Sequence, residues 1–122
     1  MSVLLDSVIL IDHLNGVRAA TKYLESVSDA SISVISRAEI LVGLPLSQVP
    51  AVKEWLDRYP TFAIDRQTAD LAADLRRKHK WKLPDALQAA VAQQHGLQLA
   101  TRNTKDFPPH RYSFVVVPYS VK

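Results

Sequence analysis

The chain has 122 residues, with 15 lysines and arginines against 12 acids for a net charge of +3. That length suits one domain with a single buried core, residues 1–122, and a hydrophobic content of 48% excludes a disordered chain. No cysteine is present, which excludes disulfides and thiolate metal centres; a metal site would use oxygen or imidazole donors, and oxygen favours a hard ion such as Mg²⁺ or Mn²⁺.

Val3-Leu4-Leu5 reads as a first strand, and apolar-rich Ser7 to Leu14 as a helix stopped at Asn15-Gly16. The opening residues lack the basic start and small-residue cleavage site of a signal peptide. Apolar runs such as Val8 to Ile11 are far too short to span a bilayer, so a soluble cytoplasmic protein is expected. Val17 to Ser26 reads as a second helix and Ser31 to Ile35, alternating and β-branched, as a second strand. Ser36 then opens a helix that ends near Gly43. Val49 to Tyr59 is a helix with Pro50 at its start, and Thr61 to Ile64 is a short strand. Asp65 caps a long helix that carries Leu71, Ala72 and Leu75 into a basic cluster. Pro84 begins another helix, continued by Ala86 to His95 and stopped by Gly96. Leu97 to Thr101 is a strand, Arg102 to Arg111 a polar loop, and Phe114 to Val117 a final strand. Strands alternating with helices predict an α/β three-layer sandwich: a mainly parallel sheet of four to five strands with helices on both faces.

In such sheets ligands bind beyond the carboxyl ends of the strands. Asp6 follows the first strand, Glu39 lies one turn into the helix after the second, Asp85 sits in a first helical turn, and Asn103 and Asp106 follow the fourth strand. Carboxylates gathered without basic partners repel one another, and a divalent cation is the simplest compensation. A cation so held polarises a phosphate and lowers the pKa of a water, so phosphodiester hydrolysis is the reaction class that fits. Local roles compete at each position. Asp6 can cap the helix it precedes, Ser36-x-x-Glu39 has the form of a capping box, Asp85 suits a helix N-terminus, and Asp106 suits a turn. Asp12 is read as a face residue or interface acid.

Arg76, Arg77, Lys78, Lys80 and Lys82 crowd into seven residues with His79 and Trp81 among them. A basic run with an aromatic residue suits a phosphate backbone and a stacked base. Cations at the negative pole of a helix are the other explanation.

Four segments resemble PIN-domain toxins of the VapC type: Leu4 to Ile11, Ser33 to Gly43, Leu83 to Ala92 and Leu99 to Phe107. They occur in the family's order across nearly the whole chain. The resemblance implies a metal-dependent endoribonuclease, using Mg²⁺ or Mn²⁺, that slows translation and is inhibited by a cognate antitoxin. Residue by residue, it implies that Asp6, Glu39 and Asp85 form the acid cluster. Asp106 is preferred over the neutral Asn103 as fourth acid, and the hydroxyl of Ser7 orients Asp6 or a water. It also implies a homodimer and a heterotetramer or larger assembly with the antitoxin. The helix Ser7 to Leu14, apolar on more than one face, would give a groove for a partner helix; simple burial is the other explanation. The basic run and Arg102 are candidates for the RNA backbone. A receiver domain would need paired acids after the first strand, and only Asp6 stands there. A nucleotide-binding loop is absent, since the three glycines form no Gly-x-Gly. A catalytically inactive PIN-like module that binds RNA or protein remains the alternative.

Overall fold

The computed structural model describes residues 2–121. In chain order the elements are β1 (Val3–Leu5), α1 (Ser7–Leu14), α2 (Arg18–Ser26), β2 (Ala30–Ser33) and α3 (Val34–Val42). A 3₁₀ turn (Leu46–Gln48) then leads to α4 (Val49–Leu56), β3 (Thr61–Phe62), α5 (Arg66–His79), α6 (Leu83–Gln94), β4 (Gln98–Ala100) and β5 (Val115–Val116). The strands form one sheet in the order β3-β2-β1-β4-β5, and every neighbouring pair is parallel.

Alternation along the strands splits the core into two layers. Leu4 and Leu99 face one side, where Ala72 and Leu75 of α5, Ala86, Ala89 and Ala90 of α6, and Trp81 and Phe107 pack. Val3, Leu5, Ile32 and Ala100 face the other, with Ile9 and Leu10 of α1, Ile40 of α3, and Val52 and Leu56 of α4. The result is the expected three-layer sandwich, because period-two side chains from a buried parallel sheet must feed both faces. The alanine-rich run of α6 lets that helix approach the sheet closely; Ala86, Ala89, Ala90 and Ala92 are fully buried. Among the described residues no helix is long and apolar enough to cross a membrane.

One boundary matters for function. The second strand ends at Ser33, which caps α3 by accepting from the Ser36 backbone N–H, so α3 begins at Val34 and not at Ser36. The capping box Ser36-x-x-Glu39 is therefore not formed, and Glu39 is free of that role. Asp65 caps α5 as expected, accepting from the Thr68 backbone N–H at 2.8 Å.

The chain runs from β1 outward to β2 and β3, then returns to add β4 and β5 on the opposite side of β1. The gap between the carboxyl ends of β1 and β4 is therefore the topological switch point, where an open α/β sheet leaves a crevice.

Candidate active site

Asp6 follows β1 directly and Thr101 follows β4, so the switch point brings them side by side. Thr101 Oγ1 donates to Asp6 Oδ2 at 2.7 Å. The Ser7 backbone N–H donates to Asp6 Oδ1 at 2.9 Å, so Asp6 does cap α1 and at the same time presents its carboxylate to the crevice. The cap does not take Asp6 out of the crevice, because a cap at the end of the central strand is also a position at the carboxyl edge. Asp6 is only 6% exposed. Burial raises its pKa, against the lowering effect of its hydrogen bonds from Thr101, Gln88 and Ser7.

Asp6, Ser7, Glu39, Asp85 and Asn103 line one open cleft of about 410 Å³, together with Val8, Arg102, Thr104 and Lys105. Ser7 Oγ donates to Glu39 Oε1 at 3.1 Å, so the hydroxyl expected to orient Asp6 or a water bonds Glu39 instead. The Asp85 carboxyl is pushed up to about 6, first by loss of water and then by the negative charge of Asp6, Asp106 and Glu39, with Lys82 pulling it down. Glu39 is raised too, chiefly by burial, with Asp6 adding to the effect. Asp6, Glu39 and Asp85, some 80 residues apart in sequence at the extremes, thus converge and feel one another. None of the three forms a salt bridge; the ion pairs among the described residues are Arg37–Asp57, Arg77–Asp74 and Arg102–Asp12.

Asp106 stands back from the cleft lining. It accepts from Asn103 Nδ2 at 3.0 Å, and its own backbone N–H donates to Asn103 Oδ1. Asn103 is thus the residue at the cleft wall and Asp106 the one that holds it, while still raising Asp85 by charge. No set of three acids or histidines among the described residues forms a ready-made metal shell. The donor set nevertheless fits a small hard dication held through one or two carboxylates with water completing the octahedron.

Arg102 reaches the cleft wall, but its guanidinium is committed elsewhere. Nε and Nη2 donate to the two oxygens of Asp12 at 2.5 and 2.8 Å, and Tyr119 Oη donates to the same carboxylate at 2.8 Å. Asp12 is 4% exposed, so it is a buried anchor and not the face or interface acid expected from sequence. Arg102 lowers its pKa, first through the hydrogen bonds. The basic run does not enter the acid cleft. Arg76, Arg77 and Lys80 line a separate depression with Ala73 and Leu83, and only Lys82 is close enough to act on Asp85. Arg76 Nη1 donates to the Trp81 carbonyl at 2.5 Å. Trp81 is 3% exposed, packs on Phe107 and His79, and donates from Nε1 to the Asp106 carbonyl. It is a core residue, not a platform for a base, because its place after the left-handed residue Lys80 turns the chain back into the protein.

Gln88 was not singled out by sequence. It is 1% exposed and lies one turn beyond Asp85 on α6. Its polarity amid Ala86, Ala89, Ala90, Val91 and Ala92 is the signal that could have found it. The apolar helix α1 buries Ile9 and Leu10 completely, while Leu14 is exposed. Ile11 and Leu14 line a groove of about 190 Å³ against Glu39, Ile40, Gly43 and Leu44 of the α3 end.

The model of the PIN domain matches residues 3–109. The chain belongs to the PIN domain family. That span includes the acid cleft but stops short of Tyr119, which closes over Asp12 from outside it. Ribonuclease VapC10 of Mycobacterium tuberculosis (strain CDC 1551 / Oshkosh) is 38% identical over 114 residues, covering 87% of this PIN protein and 86% of that one. A toxin–antitoxin complex from Klebsiella pneumoniae contains a chain 38% identical to this PIN domain. The two superpose with a TM-score of 0.91, covering 98% of this chain and 100% of that one. FitAcB from Neisseria gonorrhoeae shares the fold, with a TM-score of 0.79 at 24% identity over 98% of this chain and 99% of that one.

Proposed function

We propose that this PIN-domain chain is a metal-dependent endoribonuclease, the toxin of a toxin–antitoxin pair, which hydrolyses RNA phosphodiester bonds in the cytoplasm and so inhibits translation. The observation that carries the reading is the convergence of Asp6, Glu39 and Asp85 on one open cleft with none of them in a salt bridge, and with the Asp85 carboxyl pushed up to about 6. The relatives support it: one is a ribonuclease by name, and one solved neighbour is a toxin–antitoxin complex.

Asp6 and Asp85 would hold a divalent ion, Mg²⁺ or Mn²⁺, with Glu39 binding it directly or through water and Asp106 acting through Asn103. When bound, the ion supplies positive charge that polarises the phosphodiester and lowers the pKa of the attacking water. Ser7 holds Glu39 by its hydroxyl, and Thr101 holds Asp6. Lys105 at the cleft wall offers a cation to the RNA backbone, a part that Arg102 cannot play while bound to Asp12. Arg77, Lys78, Lys80 and Lys82 would extend that contact outside the cleft. The groove between α1 and the end of α3 would receive a segment of the cognate antitoxin, in a homodimer assembled as a heterotetramer or larger.

The test is cleavage of RNA by wild type and Asp85→Asn, with Mg²⁺ and with EDTA. Cleavage that needs the metal and is lost in the variant is the expected result. RNA left intact by the wild type with Mg²⁺ or Mn²⁺ would favour the inactive binding module.

A further inference from the structure

Behind the acid cleft lies a closed polar network in the middle of an apolar core, and Gln88 is its hub. Ser33 Oγ donates to Gln88 Oε1 at 2.6 Å. Gln88 Nε2 donates to Ser36 Oγ at 2.6 Å and to Asp6 Oδ1 at 3.3 Å. Ser36 Oγ donates to the Leu5 carbonyl at 3.3 Å. Ser33 Oγ also accepts from the Ser36 backbone N–H. An ionised Asp6 carboxylate can only accept, which sets the amide: reversing it would turn its oxygen onto that carboxylate. No buried side-chain donor or acceptor among the described residues is left without a partner.

The network ties together the three elements that carry the acids. Gln88 sits on α6 with Asp85, Ser33 and Ser36 on β2 and α3 with Glu39, and Asp6 at the end of β1. It also decides how Asp6 can act. A carboxylate has about four lone-pair positions, two on each oxygen. Oδ1 accepts from Gln88 and from the Ser7 backbone N–H, while Oδ2 accepts from Thr101. One position, on Oδ2, stays open.

We propose that Gln88 is a positioning residue that closes Oδ1 of Asp6, so that Asp6 gives a cation one oxygen and the cleft favours a small octahedral ion over Ca²⁺. The proposal rests on the metal-dependent reading above. Mg²⁺ and Mn²⁺ suit single carboxylate oxygens in a tight octahedron, whereas Ca²⁺ readily takes both oxygens of a carboxylate at higher coordination number. Removing the Gln88 donor frees Oδ1 for a second bond to the ion and leaves Asp6 less firmly oriented.

The experiment uses metal binding to the full chain, not cleavage. Mn²⁺ binding is followed by electron paramagnetic resonance and Ca²⁺ by competition, in wild type, Gln88→Met and Gln88→Asn. Met keeps the length without donors, and Asn keeps the amide but is too short to reach Asp6. Either folded variant should bind Mn²⁺ about tenfold more weakly, with its preference for Mn²⁺ over Ca²⁺ narrowed. A second readout needs no variant: in wild type the Gln88 side-chain amide protons should stay protected from exchange when Mg²⁺ is added, since the ion takes Oδ2. Unchanged preference in a folded variant, or loss of that protection on adding Mg²⁺, overturns the assignment while leaving the nuclease reading standing. A wild type with no saturable Mn²⁺ binding overturns both.

Discussion

The acid cleft and the basic end of α5 are the two charged regions of this molecule, and they are built in opposite ways. The acids are dispersed through the sequence and meet in space at one sheet edge, where Asp6, Glu39 and Asp85 are held without a salt bridge. The cations crowd into seven residues, yet the fold spends them on different tasks. Arg76 binds the Trp81 carbonyl, Arg77 pairs with Asp74 on the surface, Lys80 makes the left-handed turn that ends the helix, and Lys82 precedes α6 near Asp85. Consecutive charges on a helix point in different directions and need no common purpose. Like charges brought together from distant segments cost stability, and that cost is the stronger sign of function.

The largest expected effect breaks the cleft side of this contrast. Asp6→Asn and Asp85→Asn should each lower kcat/KM for RNA by about a thousandfold or more, roughly 4 kcal/mol of barrier. Circular dichroism should remain that of a folded protein. Activity within tenfold of wild type in either variant would mean that the cluster is not catalytic.

Trp81 tests the other side, because it sits inside the basic run but belongs to the core. Trp81→Ala should cost about 3–5 kcal/mol of stability, as for other large buried aromatics, read from a urea midpoint. Weakened RNA binding with unchanged stability would restore the base-stacking reading.

The third effect follows from Asp85. Its carboxyl lies at about 6 in the folded chain against an ordinary 3.8. Between those values the folded protein holds a proton that the unfolded chain has released, so stability conferred by that proton is lost as pH rises through the window. The gap sets a ceiling of roughly 3 kcal/mol, and solvent at the open cleft reduces the expected loss to about 1–2 kcal/mol. Asp12 and Asp65 are shifted the opposite way, so the comparison to make is wild type against Asp85→Asn across pH 4 to 7. In metal-free buffer the variant should be the more stable near neutrality, and Mg²⁺ should raise the melting temperature of wild type alone. Equal pH profiles would remove the claim that burial and its acid neighbours raise the Asp85 pKa.

Strand–helix alternation and the three layers were legible from periodicity, and the place of Asp6 from where a parallel strand ends; the grouping of Glu39 and Asp85 with it came from the resemblance to PIN-domain toxins. The partners of those acids were not. The one local sign of Gln88 is a polar side chain amid an apolar run, and its burial shows only once α6 is seen packed on the sheet with Ala86, Ala89 and Ala90 around it. Ser36 and Glu39 fit a capping box in sequence, but α3 starts at Val34, so Ser33 takes the cap and Glu39 turns to Ser7. Asp12 looked like any acid on a helix face. Its burial depends on Arg102 and Tyr119, 90 and 107 residues further along the chain, and no spacing rule links them.

The smallest effect concerns the exposed cations. Arg76 and Lys82 have structural or cleft-side neighbours, so the informative variant replaces Arg77, Lys78 and Lys80 with Gln. Only a helix-end charge and one surface pair are lost, so stability should change by about 0.5 kcal/mol or less. If RNA phosphates lie along this end of α5, the slope of log affinity against log salt should shrink by about one for each contact removed. The loss should be nearly the same for RNAs of different sequence, because a phosphate contact carries no base information. A slope unchanged in the triple variant would assign these cations to the helix terminus alone, and leave Lys105 at the cleft wall as the backbone contact to test next.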